Sequence, residues 1–175
     1  MGNWFVFHVQ TGKEQTACDF LNKLYKKEES VAFIPQAQII YKNSKMTQIQ
    51  LRPLFPGYVF TDSELNEKEF VTLTGRYVQF SECIFKLLTN DTFSHIRLSH
   101  DEKNFLLGFC NNSYIVENSK GLIVGDNVYI TSGPLIGRES IIQKIDRHKR
   151  RAEIKLMCFG EMKTVSVSLE IVEKL

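Results

Sequence analysis

Past Gly121 the hydrophobic pattern of this 175-residue chain never returns to the helical period, and that one-way change fixes most of what the chain can fold into. Val128-Tyr129-Ile130 and Ile141-Ile142 to Ile145 are short apolar runs. Ala152, Ile154 and Leu156 alternate with Glu153 and Lys155, and Val165, Val167 and Leu169 alternate with Thr164, Ser166 and Ser168. Period-two alternation puts one strand face in a core and the other in water. Gly133, Pro134, Gly137 and Gly160 punctuate the segment and oppose long helices across it. Four or five such strands within ~55 residues predict a small β-barrel, because closing the sheet leaves no exposed edge and requires neither a disulfide nor a metal.

Upstream of Gly121 both periods occur. Trp4-Phe5-Val6-Phe7-His8-Val9 is a β-branched and aromatic run ending at the turn-prone Thr11-Gly12, which predicts a strand. From Glu14 onward, the residues Ala17, Cys18, Leu21, Leu24 and Tyr25 recur at helical spacing, with Lys13, Glu14, Lys23, Lys26 and Lys27 on the other face. Strands follow at Val31 to Pro35 and Ile39 to Tyr41, then a polar turn at Asn43-Ser44-Lys45, a returning strand through Ile49 and Leu51, and another at Tyr58-Val59-Phe60. Glu67 to Leu73 predicts a short helix, and Ser99 with Glu102 forms a capping box for a third, carrying Phe105, Leu106 and Phe109. Asn111 to Lys120 is a polar shift interrupted only by Tyr114-Ile115-Val116, and predicts a linker. The expected fold is α+β: an N-terminal domain, 1–110, with helices on one side of an antiparallel sheet; a linker, 111–120; and the barrel, 121–175.

Composition excludes several classes. Hydrophobic residues are 43% and charged residues 24%, which supports packed cores rather than disorder. No basic segment leads into an apolar one at the start and no run of ~18 apolar residues occurs, so no membrane role is expected. Cys18, Cys83, Cys110 and Cys158 form no CxxC pair, which makes a reducing cytoplasm the expected location. His8, His95, His100 and His148 have no neighbouring ligand or acid at metal or triad spacing, and no phosphate-cradling loop or nucleophile elbow is present. No catalytic residue, metal or cofactor is predicted, and a monomeric binding protein is expected. Its charge is uneven: residues 1–110 carry 12 basic against 12 acidic side chains, while 144–155 alone carry 6 against 2. That cluster points to a polyanionic partner.

Two motifs carry a family resemblance that covers essentially the whole chain. Pro53-Leu54-Phe55-Pro56-Gly57-Tyr58-Val59-Phe60, preceded by Trp4-Phe5 and Thr11-Gly12-Lys13-Glu14, resembles the N-terminal domain of NusG-like elongation factors. Gly125 to Gly137, followed by Ile145-Asp146 and Val172 to Leu175, resembles that family's KOW barrel, of SH3-like type. Within the family, Ile145 to Arg151 after Gly137-Arg138-Glu139 is most similar to the LoaP group of specialised antiterminators. Ser140 departs from the pattern, which usually has glycine there; a side chain at that point would strain a glycine-type turn.

The resemblance implies a transcription elongation and processive antitermination factor. Its N-terminal domain would bind the clamp region of RNA polymerase through exposed Phe55 and Tyr58, with Trp4, Phe5 and Pro56 in support. Its barrel would bind RNA, a leader hairpin in the LoaP-like case, through Arg138, Lys144, Arg147, His148, Lys149, Arg150, Arg151 and Lys155. Read from the residues alone, Phe55, Pro56 and Tyr58 are equally core and turn residues. The basic run is equally a solvated hairpin tip that protects a strand edge. The alternative function is a housekeeping NusG-like factor, or a KOW protein whose barrel binds a ribosomal protein.

Overall fold

A computed structural model describes residues 2–42, 46–89 and 97–175. The polar turn at Asn43-Ser44-Lys45 and His95 lie outside the described residues. Two compact units emerge: Met1–Pro35 with Phe55–Lys103, and Gln36–Leu54 with Asn104–Leu175.

The first unit contains β1 (Asn3–Val9), α1 (Glu14–Leu24) and β2 (Ser30–Phe33). The chain then supplies β3 (Gln36–Lys42) and β4 (Thr47–Pro53) to the second unit before β5 (Tyr58–Ser63), α2 (Glu67–Gly75) and β6 (Ile84–Leu87) complete the first. Its sheet runs β2-β5-β1-β6, with every pair antiparallel. Phe5, Phe7 and Val9 of β1 face Ala17, Cys18 and Leu21 of α1 and Phe70 of α2, so both helices pack on one face. Phe70 stacks on Phe5 at 3.8 Å between ring centroids. The helix starts follow local chemistry: the Asn66 side chain accepts the Glu69 N–H while the Glu69 carboxylate accepts the Asn66 N–H, a reciprocal cap absent from the sequence-based expectation. β6 is also an addition, because four residues bounded by polar turns show too little alternation to announce a strand.

The opposite face of β1 is buried as well. Trp4 meets Phe33 edge-on at 4.9 Å and Phe60 at 6.1 Å, and Phe55 lies 5.7 Å from Phe60. Phe55 is only 3% exposed, which corrects the expectation of an exposed anchor: its ring finds more contact area against Phe60 than water leaves it. Trp4 and Phe5 are buried too, at 1% and 0%.

The second unit contains the β3–β4 hairpin and most of α3 (His100–Phe109), with β7 (Ile115–Val116), β8 (Ser119–Val124), β9 (Asn127–Ser132), β10 (Ile142–Asp146), β11 (Arg151–Cys158) and β12 (Glu161–Lys174). The capping box at α3 forms as expected, with the Glu102 N–H donating to Ser99 Oγ and the Ser99 N–H donating to Glu102 Oε2. One sheet runs β4-β3-β7 and another β10-β11-β12-β8-β9. β12 is the hub of the larger sheet, antiparallel to β11 and parallel to β8. Its ladder ends at β10 and β9, which do not pair with each other among the described residues. The alternating residues Ala152, Ile154, Leu156, Val165, Val167 and Leu169 all point into the core. Ser140 sits in a short 3-10 helix, Glu139–Ile141, and is not among the residues with positive φ. The expected strain at Ser140 is therefore absent, because the backbone there takes an ordinary right-handed turn.

Truncating Phe70 to alanine removes a fully buried, stacked ring and is expected to cost about 3–5 kcal/mol of unfolding free energy. Phe55→Ala is expected to lower stability measurably for the same reason, by about 3 kcal/mol in denaturant titrations. An unchanged midpoint for Phe55→Ala would return that ring to the surface.

Candidate functional site

Two β-turns lie against each other at one end of the four-stranded sheet. Gln10 to Lys13 closes with the Lys13 N–H donating to the Gln10 carbonyl at 2.9 Å, and Phe55 to Tyr58 closes with the Tyr58 N–H donating to the Phe55 carbonyl at 3.2 Å. Each has glycine at its third position, Gly12 at φ +86° and Gly57 at φ +85°, the left-handed backbone that a type II turn requires. Pro56 precedes Gly57 with the fixed φ that suits the second position. The turns touch: a Cβ added to Gly57 would stand 3.0 Å from Thr11 Oγ1 and 3.4 Å from the Val9 carbonyl oxygen. The Val9 N–H also donates to the Gly57 carbonyl at 2.8 Å.

Glu14 joins the two turns. It opens α1 and is 5% exposed, which corrects its expected place on the polar face of the helix: the two glycine amides draw its carboxylate inward. Its Oε2 accepts the Gly12 N–H at 2.9 Å and its Oε1 accepts the Gly57 N–H at 2.8 Å. A type II turn leaves the N–H of its third residue unused, so one carboxylate satisfies both orphan donors. Both segments stand out in the sequence, but no local pattern links them, since Glu14 and Gly57 are 43 positions apart.

The surface next to these turns is aromatic. Pro56 is exposed and Tyr58 half-buried. The His8 ring, across the strand pair from Tyr58, lies 5.4 Å from it and 5.2 Å from Phe85, which is 59% exposed. Of the expected polymerase-binding set, Trp4, Phe5 and Phe55 are buried beneath while Pro56 and Tyr58 reach the surface. His8 and Phe85 were not singled out from sequence. The signal for His8 was its place between the core-facing Phe7 and Val9, which turns it to the other face.

The expected RNA-binding residues separate into two groups. Lys144, Arg147, His148, Lys149 and Lys155 are exposed. Lys144 and Lys155 share a sheet face with Glu153, which stands directly across from Lys144 and reduces the positive field there. The turn between β10 and β11 is shaped by Asp146, whose Oδ1 accepts the Lys149 N–H at 2.9 Å; that hydrogen bond holds its carboxyl below the usual carboxylate range.

The remaining arginines are engaged. Arg138 donates to the Pro134 carbonyl at 2.9 Å and to Gly108 at the end of α3 at 3.3 Å, and its guanidinium lies over Phe105 at 5.8 Å and Phe109 at 5.9 Å. Arg150 adopts φ +51° and pairs with Glu170 at 3.5 Å. Arg151 lies over the Tyr41 ring at 5.3 Å. Sequence counts every arginine as available; neighbouring rings and acids decide which remain so.

Burial pushes the thiols of Cys18 and Cys110 up to about 11 and about 12, which keeps both protonated and unreactive at neutral pH. Among the described residues, no three His, Cys, Asp or Glu side chains group around a metal-sized space, and no helix is long and apolar enough to cross a membrane.

Comparison with known proteins places this geometry. The family model described as "Transcription termination factor nusG" matches residues 2–102. Over 98% of its length the chain is 21% identical to the transcription termination/antitermination protein NusG of Pseudomonas aeruginosa, covering 97% of that protein. It is 24% identical to the protein of the same name from Campylobacter jejuni, with 98% and 97% covered. Among solved structures, one described as domain interaction in Thermotoga maritima NusG superimposes with a TM-score of 0.52 at 19% identity, covering 98% of this chain and 94% of that one, and so shares the fold. The Glu14-linked turns and the sheet beneath them lie within the matched segment, and the chain belongs to the NusG family.

Proposed function

We propose that this chain is a transcription elongation factor of the processive antitermination kind, most similar to the LoaP group. It binds the clamp region of RNA polymerase beside the Phe55–Tyr58 turn, and RNA through a KOW-type, SH3-like barrel built on β8 to β12. The observation that carries the proposal is the surface strip of Tyr58, His8 and Phe85 beside exposed Pro56. Rigid rings on a sheet supply contact area at low entropic cost, which suits an apolar helical partner. Trp4 and Phe55 back that face of the sheet by packing on Phe60, and Phe5 supports the sheet from the helix side through Phe70. The names of the relatives, termination/antitermination proteins, favour the same function. The factor acts without catalysis, as a cytoplasmic monomer, by binding one polymerase conformation in preference to another.

For RNA, the exposed group Lys144, Arg147, His148, Lys149 and Lys155 carries the contact, with phosphates as the principal partner and Arg147 free to stack on an unpaired base of a leader hairpin. A second partner for the same module, a ribosomal protein, is favoured by Met157 and Met162. They face each other across β11 and β12 at 51% and 56% exposure, an adaptable apolar pair of the sort protein surfaces use.

Two outcomes are expected. The tagged full-length chain recovers core RNA polymerase from lysate after nuclease treatment and ribosome removal, and Tyr58→Ala weakens that recovery by about 30-fold, the scale of a hot-spot truncation. Recovery with ribosomes alone would replace the polymerase proposal with the ribosomal one. Changing Lys144, Arg147, Lys149 and Lys155 together to alanine is expected to weaken leader-hairpin binding and flatten its salt dependence while leaving polymerase recovery intact, because each lost phosphate contact releases fewer counterions. Absence of any RNA binding by the parent chain at low salt would remove RNA from the proposal.

A further inference from the structure

We infer that Glu14 is the positioning residue of the proposed polymerase contact: its carboxylate, shared between the Gly12 and Gly57 amides, sets where Pro56 and Tyr58 stand on the sheet. The inference rests on the proposed function only for the identity of the partner. Its geometry stands on the two hydrogen bonds, 2.9 Å to Gly12 and 2.8 Å to Gly57, made by a side chain that is 5% exposed.

Three features make the link directional. Glu14 is the first residue of α1, whose buried face is pinned by Ala17, Cys18 and Leu21, so the carboxylate is delivered from a rigid element. Lys13 makes no side-chain cap at that helix start, which leaves the carboxylate as the polar group ordering the chain just before α1. The second turn is tied to the first strand by the 2.8 Å bond between the Val9 N–H and the Gly57 carbonyl and, one residue on, by the pairing of Tyr58 with His8. Those ties hold the outgoing half of the turn, and the Glu14 bond to the Gly57 N–H holds its central peptide, the one joining Pro56 to Gly57. Tyr58 follows Gly57 immediately and its ring lies 5.4 Å from that of His8, so the turn that Glu14 holds leads directly into the aromatic strip.

Glutamine in place of Glu14 keeps the shape but offers one acceptor and one amide NH2, so one of the two glycine N–H groups must face a donor. Aspartate keeps both acceptors on a shorter stem. It can hold Gly12, two residues away in sequence, but not Gly57 at the same time.

The test uses the full chain. In the parent, the Gly12 and Gly57 amide protons are expected to be protected from exchange with solvent, and free exchange of Gly57 would overturn the inference without any variant. Glu14→Gln and Glu14→Asp are expected to shift the Gly57 amide and the Tyr58 ring resonances and to weaken binding to purified core RNA polymerase at least tenfold, at a temperature where melting shows each variant folded. Ser63→Ala is the control. It removes a buried hydrogen bond, 2.7 Å from Ser30, at the other end of β5, and is expected to bind polymerase within about twofold of the parent, as a side chain remote from the contact should. If Glu14→Gln binds as the parent does while folded, or if Ser63→Ala loses binding to the same degree, Glu14 does not position the contact. If the parent itself fails to bind polymerase, the proposed function falls, and the exchange and resonance data still decide whether Glu14 positions Tyr58.

Discussion

The first unit depends on one buried carboxylate. A side chain as polar as Glu14 is costly to remove from water unless its oxygens find donors, and the two glycine amides supply them. The dependence runs both ways. Each glycine takes the left-handed conformation that directs its N–H away from the turn's own hydrogen bond, and without the carboxylate the amide of buried Gly57 would lose the bond that satisfies it, while exposed Gly12 could turn to water. Helix α1, the turn that follows β1 and the turn that leads into β5 thus meet at a single side chain.

Much of this architecture was legible in the sequence because it is local. The helix from Glu14 to Leu24, the strand through Tyr58-Val59-Phe60 and the Ser99–Glu102 capping box all follow from spacing, and so does the alternation at 152–156 and 165–169 except at Ser168, which is buried where the pattern expects exposure. What escaped is non-local. Phe55 sits in a turn, where the residues alone leave core and surface open and the family resemblance implied an exposed anchor; the Phe60 ring 5.7 Å away decides for the core. Gln36–Leu54 reads as part of the segment around it, but its strand β3 pairs with Ile115 and Val116, nearly eighty positions on. No periodicity within either strand carries that information.

The basic segment shows the same limit in electrostatic terms. Six basic residues within twelve positions suggest one patch, whereas the fold commits Arg150 to Glu170 and Arg151 to Tyr41, and places Glu153 across from Lys144. Arg138 is spent on closing the end of α3 over Phe105 and Phe109. The surviving positive field is concentrated at the β10–β11 turn, where Asp146 shapes the backbone and Arg147, His148 and Lys149 point to solvent. A short, strongly charged tip meets a polyanion with orientation as well as attraction.

The pairing of β12 with β8 has a consequence for how the second unit assembles in time. β8 and β9 form a hairpin that closes over a few residues, as do β11 and β12, but the two hairpins join through the parallel register that begins with Leu169 and Ser119. Parallel pairing across fifty positions closes a long loop before any contact compensates for it, and such steps are slow relative to hairpin formation. During synthesis β8 leaves the ribosome well before β12 exists, and for that interval its inner edge, including Ser119 and Gly121, lacks the neighbour that later covers it. The order of the strands in the chain therefore makes late residues the rate-setting ones: changes in Leu169 or Ile171 should slow folding more than changes of equal stability cost in β9.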